Sequence, residues 1–71
     1  MKYAVVFEQT PSNWCAYVPD LPGCGTTGKT LEETRRLIAE AIPFHIEGLR
    51  IHGYPVPEPT TVAENVEVVA A

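Results

Sequence analysis

The sequence predicts an α+β domain of order β-β-β-α-β, an antiparallel sheet of three to four strands with one helix packed on one face. Three observations carry that prediction. Two short apolar runs with strand-like alternation flank a turn-forming stretch, QTPSN. A passage rich in proline and glycine, VPDLPGCGTTGKTLEET (Val18 to Thr34), ends in a helix-start pattern. One long amphipathic segment then follows. The whole chain, 1–71, reads as a single domain: a β-β-β-α core over 2–52, a Pro-rich connector over 53–61 and a final strand over 64–69.

The first strand is KYAVVFE, residues 2–8, with Tyr3, Val5 and Phe7 on one face and Ala4, Val6 and Glu8 on the other. Pro11, Ser12 and Asn13 give the next stretch hairpin chemistry. WCAYV forms the second strand, with Trp14, Ala16 and Val18 opposite Cys15 and Tyr17, and Pro19 ends it by removing a ladder donor. Pro19 and Pro22 stiffen the following loop, Gly23 permits a positive φ, and Gly25 to Lys29 suits a short edge strand. Thr30 with Glu33 three residues on is a capping box.

The helix is expected from about Leu31 to His52, with Gly53 ending it. Leu31, Ile38, Ile42, His45 and Leu49 fall together on a helical wheel, with Leu37, Ala41 and Phe44 alongside. Glu32, Arg36, Glu40, Glu47 and Arg50 collect opposite, and Pro43 predicts a kink. This apolar arc covers roughly half the circumference, more than the ~100° stripe one packing layer uses. GYPVPEPTT should be extended because Pro55, Pro57 and Pro59 alternate, and ENVEVVA places Val66 and Val68 opposite Glu67 and Val69.

The first two strands carry apolar residues on both faces, and one helix shelters only one. That pattern, with the over-wide helix arc, predicts an oligomer whose interface draws on Tyr3, Val5, Phe7 and Phe44. A compact chain of this mass exposes about 4,400 Å², and one standard interface takes about 800 Å² from each partner. A self-contact and a partner contact both fit.

Charge and composition narrow the function. The net charge is −4, and the five basic residues are scattered, which disfavours a phosphate-binding surface. No stretch approaches the ~20 apolar residues of a membrane span, and no signal-peptide pattern is read at the start. The two cysteines, Cys15 and Cys24, form no CxxC pair, so a reduced, cytoplasmic protein is expected. His45 and His52 stand two helical turns apart, about 10 Å, too far to share one metal ion. The domain resembles part of a ribonuclease H-like sheet, but no acids gather at adjacent strand ends to hold two metals. GCGTTGKT lacks the phosphate-loop spacing. The aromatic residues Trp14, Tyr3, Tyr17 and Phe7 leave a base-stacking nucleic-acid module as the alternative to a protein binder, although the surrounding basic charge is missing. No catalytic residue, metal site or cofactor is expected.

The run PDLPGCGTTGKTLEE, the two-strand unit before it and the later EAI…HIEGLRIHGYPVPEPT resemble the HicB-like antitoxin family over about Tyr3 to Thr60. The resemblance implies a β-β-β-α-β partial ribonuclease H-like domain without catalytic acids. It further implies a binding protein of a type II toxin-antitoxin system, whose partner is a HicA-like toxin. Such a toxin is a small basic mRNA interferase, which the antitoxin neutralises by masking its active-site histidine and RNA surface. Fuller family members often add a C-terminal helix-turn-helix or ribbon-helix-helix, so DNA binding is not expected of this chain alone. The expected partner contacts are Asp20, Leu21 and Pro22 in the loop and Glu32, Glu40 and Glu47 on the polar helix face.

Overall fold

The computed structural model of the chain describes residues 1–70. Strand β1 spans Val6–Gln9, β2 Trp14–Tyr17 and β3 Gly25–Gly28, and helix α1 spans Leu31–Ile51. The strands form one antiparallel sheet in the order β1-β2-β3, which agrees with the α+β class. Register aligns Phe7 with Ala16 and Ala16 with Thr26, and on the opposite face Val6 with Tyr17 and Tyr17 with Gly25.

Each junction has a local cause. In the hairpin, the Thr10 N–H donates to the Asn13 carbonyl at 2.8 Å, and the Thr10 hydroxyl donates to the Asn13 side chain at 2.7 Å. The loop after β2 closes on itself: the Leu21 N–H donates to Val18, the Cys24 N–H to Leu21 and the Val18 N–H to Cys24, at 3.0–3.1 Å. Gly23 takes φ +84° at its apex. Thr30 caps α1 by accepting the Glu33 N–H at 3.0 Å. At the other end Tyr54 N–H reaches Leu49 O and Gly53 N–H reaches Arg50 O. With Gly53 at φ +72°, this is a Schellman ending. The helix passes through Pro43 as one element; the Ala39 carbonyl, which lacks a proline N–H to bond, lies on the exposed side.

Ala16, Val18, Leu21, Cys24 and Ile38 make the core, and Tyr3, Val5, Phe7, Ala41, Ile42, Ile46 and Leu49 pack partly buried against it. The helix lies closest over β3. A Cβ at Gly28 would stand 2.5 Å from Thr34 Oγ1, so only glycine admits that approach. Thr34 is fully buried, and its hydroxyl donates to the Thr30 carbonyl at 2.7 Å, which satisfies the buried group.

The final strand expected over 64–69 is not formed. Among the described residues no strand follows α1, so the order within one chain is β-β-β-α. The alternation of Val66, Glu67 and Val68 is present, but a strand needs a ladder partner. The backbone of 62–70 makes no hydrogen bond to the sheet, and a hollow separates Ala63, Glu64 and Asn65 from Val5, Phe7 and Trp14. The arm leaves the molecule spread over 51 × 27 × 16 Å with a radius of gyration of 14.1 Å, against about 11 Å for a compact chain of this length. Its accessible surface, 5581 Å², likewise exceeds the ~4,400 Å² of a compact fold.

Candidate partner-binding surface

Asp20 has the densest polar environment in the chain. Its carboxylate accepts the N–H groups of Thr60 and Thr61 at 3.0 and 2.9 Å and their hydroxyls at 3.2 and 2.7 Å. These bonds hold its carboxyl below the usual value, the Thr61 N–H contributing most and the Thr61 hydroxyl next. A second tie joins the Tyr3 hydroxyl, as donor, to the Pro57 carbonyl. The PDLPG loop therefore holds the Pro-rich arm against the body. Nothing local in the sequence signals this pairing, because its members lie 40 and 41 positions apart.

The expected contact residues divide by exposure. Leu21 is 0% exposed and belongs to the core, whereas Pro22 beside it is exposed. Glu32, Glu40 and Glu47 are all exposed on α1. Arg36 pairs weakly with Glu40 at 4.0 Å, with both side chains mostly in solvent. Tyr3, Val5 and Phe7 face the helix and pack on the core, so the open sheet face presents Val6, Cys15, Thr27 and Tyr17, the last 45% exposed. Trp14 also lies on the helix side, near Leu31 and Arg35. The aromatic platform that base stacking would use is therefore turned inward except for Tyr17. Phe44, by contrast, is 83% exposed.

The remaining candidates for chemistry are dispersed. No group of three or more His, Cys, Asp or Glu that could hold a metal ion occurs among the described residues. Cys24 is buried and burial pushes its thiol up, which makes it less reactive, while Cys15 is half-buried and free. The buried cysteine is thus Cys24. His45 lies near the Gly23 apex, and the His52 ring tilts against Tyr54 at a 6.2 Å centroid distance. Among the described residues no helix is long and apolar enough to cross a membrane.

These features define a small α+β domain that presents a charged helix face, exposed apolar side chains and a tethered C-terminal arm. A family model described as the HicB-like antitoxin of bacterial toxin-antitoxin systems matches residues 3–69, and the chain belongs to that family. It is 33% identical over 66 residues to an uncharacterized 14.9 kDa protein of Haemophilus phage HP1, a match that covers 93% of this chain and 50% of the phage protein. The chain thus spans half the length of that relative. It is 41% identical over 58 residues to a UPF0150 protein of Thermoplasma acidophilum, covering 80% of this chain and 84% of that one. Among solved structures it resembles a chain of the HicA3 and HicB3 toxin-antitoxin complex, with a TM-score of 0.72 and 32% identity over 84% of this chain and 70% of that one.

Proposed function

We propose that this chain neutralises a HicA-like toxin, a small basic mRNA interferase, by covering its active site and RNA surface. In this reading the chain acts in the cytoplasm by occlusion and performs no chemistry itself. The observation that supports it most is the likeness, at 32% identity, to a chain of a HicA3–HicB3 complex. The net charge of −4 is of the sign that a basic, RNA-binding partner attracts. Glu32, Glu40 and Glu47 on α1 and the rim of the Asp20–Pro22 loop are the proposed contacts; within the loop, exposed Pro22 meets the partner while Asp20 holds the arm. Exposed carboxylates of this kind steer encounter and select the partner more than they add affinity.

The test is inhibition of RNA cleavage by a purified HicA-like toxin as this chain is titrated in. The expected result is loss of cleavage near equimolar chain. Reversing the acidic face with Glu32→Lys, Glu40→Lys and Glu47→Lys together is expected to slow association at least tenfold at low salt and flatten its salt dependence. Undiminished cleavage at a large molar excess of chain refutes the proposal.

A further inference from the structure

We propose that Thr61 is a phosphorylation site, and that a phosphoryl group on its hydroxyl releases the C-terminal arm from the Asp20 carboxylate. Thr60 and Thr61 are both exposed and lie outside every helix and strand of the described residues. The other threonines are committed to the body. Thr10 closes the hairpin, Thr26 and Thr27 lie in β3, Thr30 caps α1 and Thr34 is buried. Phosphoryl transfer depends on positioning the target hydroxyl in the kinase cleft. A segment held by a few surface bonds can leave the body to be so positioned, and Pro55, Pro57 and Pro59 favour an extended backbone on the way to it.

The flanking charges choose the kind of kinase. Glu58 stands three residues before Thr61 and Glu64 three residues after it, and no Lys or Arg occurs anywhere in 51–71. Such a stretch fits a kinase whose substrate groove is basic. Val62 follows Thr61, so a kinase that reads a proline at that position has nothing to recognise. Thr60 lacks the acid three residues on, where Ala63 stands. In the reaction the Thr61 Oγ1 attacks the γ-phosphorus of a nucleoside triphosphate. An O–P bond forms, the bond from that phosphorus to the β-γ bridging oxygen breaks, and the nucleoside diphosphate leaves. The hydroxyl proton passes to the base of the kinase.

The consequence follows from where the hydroxyl sits. Thr61 supplies Asp20 with an N–H at 2.9 Å and a hydroxyl at 2.7 Å, the shorter of the two hydroxyl bonds, since that of Thr60 is 3.2 Å. Phosphorylation takes the donor proton away and sets a charge of about −1.5 to −2 where it was. A carboxylate and a phosphate at that separation repel, so the bonds that hold the arm become the reason it leaves. The tie from Tyr3 to Pro57 lies upstream of the modified residue and stays in place. The freed part is therefore the stretch beyond Pro57. Its departure opens the hollow that now lies between Ala63, Glu64 and Asn65 and the side chains of Val5, Phe7 and Trp14.

This inference is independent of the toxin reading, because its test needs no toxin. The full chain is incubated with magnesium, ATP and a serine/threonine kinase that prefers acidic substrates, and peptide mass spectrometry locates the product. One phosphoryl group on Thr61 is expected, and Thr61→Val should abolish it. Asp20→Asn should be phosphorylated severalfold faster than wild type, because a neutral acceptor holds the hydroxyl less firmly than a charged one. Hydrogen exchange on the phosphorylated chain should quicken about tenfold at the Thr60 and Thr61 amides, with the α1 amides as protected as before. A kinase that leaves Thr61 unmodified in both wild type and Asp20→Asn overturns the site, as does modification confined to other residues. A chain phosphorylated on Thr61 whose arm amides exchange as slowly as the unmodified ones overturns the release.

Discussion

The body, residues 3–52, and the arm, residues 53–70, are held by different kinds of force. In the body the turns close on neighbours in sequence: Thr10 with Asn13, Val18 with Cys24, Thr30 with Glu33. Those closures align apolar side chains that then bury one another. The arm has no such core. It is tied at Pro57 by Tyr3 and at Thr60 and Thr61 by Asp20, and beyond Thr61 it lies exposed. Burial of apolar area holds the body, whereas a few polar bonds at the surface hold the arm.

Three substitutions break or sharpen that contrast. The largest effect belongs to Leu21→Ala, which empties a fully buried position. It should cost about 2–5 kcal/mol of unfolding free energy, read by urea denaturation, and a loss under about 1 kcal/mol would mean that the loop is not part of the core. Next is Thr30→Ala, which removes the acceptor of the Glu33 N–H and should cost about 1 kcal/mol. An unchanged denaturation midpoint would show that the cap contributes nothing to the body.

Asp20→Asn should have the smallest effect on the body and the largest on the arm. Hydrogen exchange should quicken at the Thr60 and Thr61 amides while the α1 amides keep their protection. Equal quickening in both regions would erase the distinction drawn between them. The pH dependence has a definite sign. Because the folded carboxyl is held below its unfolded value, the clamp has its full strength above the ordinary aspartate value of about 3.9. It is lost as pH falls through the lower, folded value. Arm amides that lose protection near neutral pH would contradict this.

What could be read from the sequence follows the same division. The three strands, the Thr30 cap and the Gly53 stop use signals confined to a few adjacent residues, and the structure places each within a few positions of its expected bounds. The helix arc was visible too, and so was its excess width. Which part of the arc the sheet would cover was not visible, because that depends on the approach of α1 to β3 at Gly28. Phe44, expected at an interface with another chain, is 83% exposed, whereas Ile38 on the same arc is buried. Tyr3, Val5 and Phe7 were correctly placed on one face, but alternation alone does not say which face the helix takes. The Asp20 clamp gave no sign at all, since a carboxylate and two threonines far apart in sequence form no pattern. At 64–69 the alternation was real, yet a pattern of side chains does not supply a neighbouring strand.

Asp20 and Leu21 are joined by one peptide bond, so the anchor of the arm and a fully buried side chain of the body are mechanically continuous. Proline on either side, at 19 and 22, makes that short stretch stiff. A pull on the arm therefore lands on a rigid bracket set into the core and bypasses the far end of α1. Whatever takes hold of this segment has a handle on the body, and the carboxylate will let go before the leucine does.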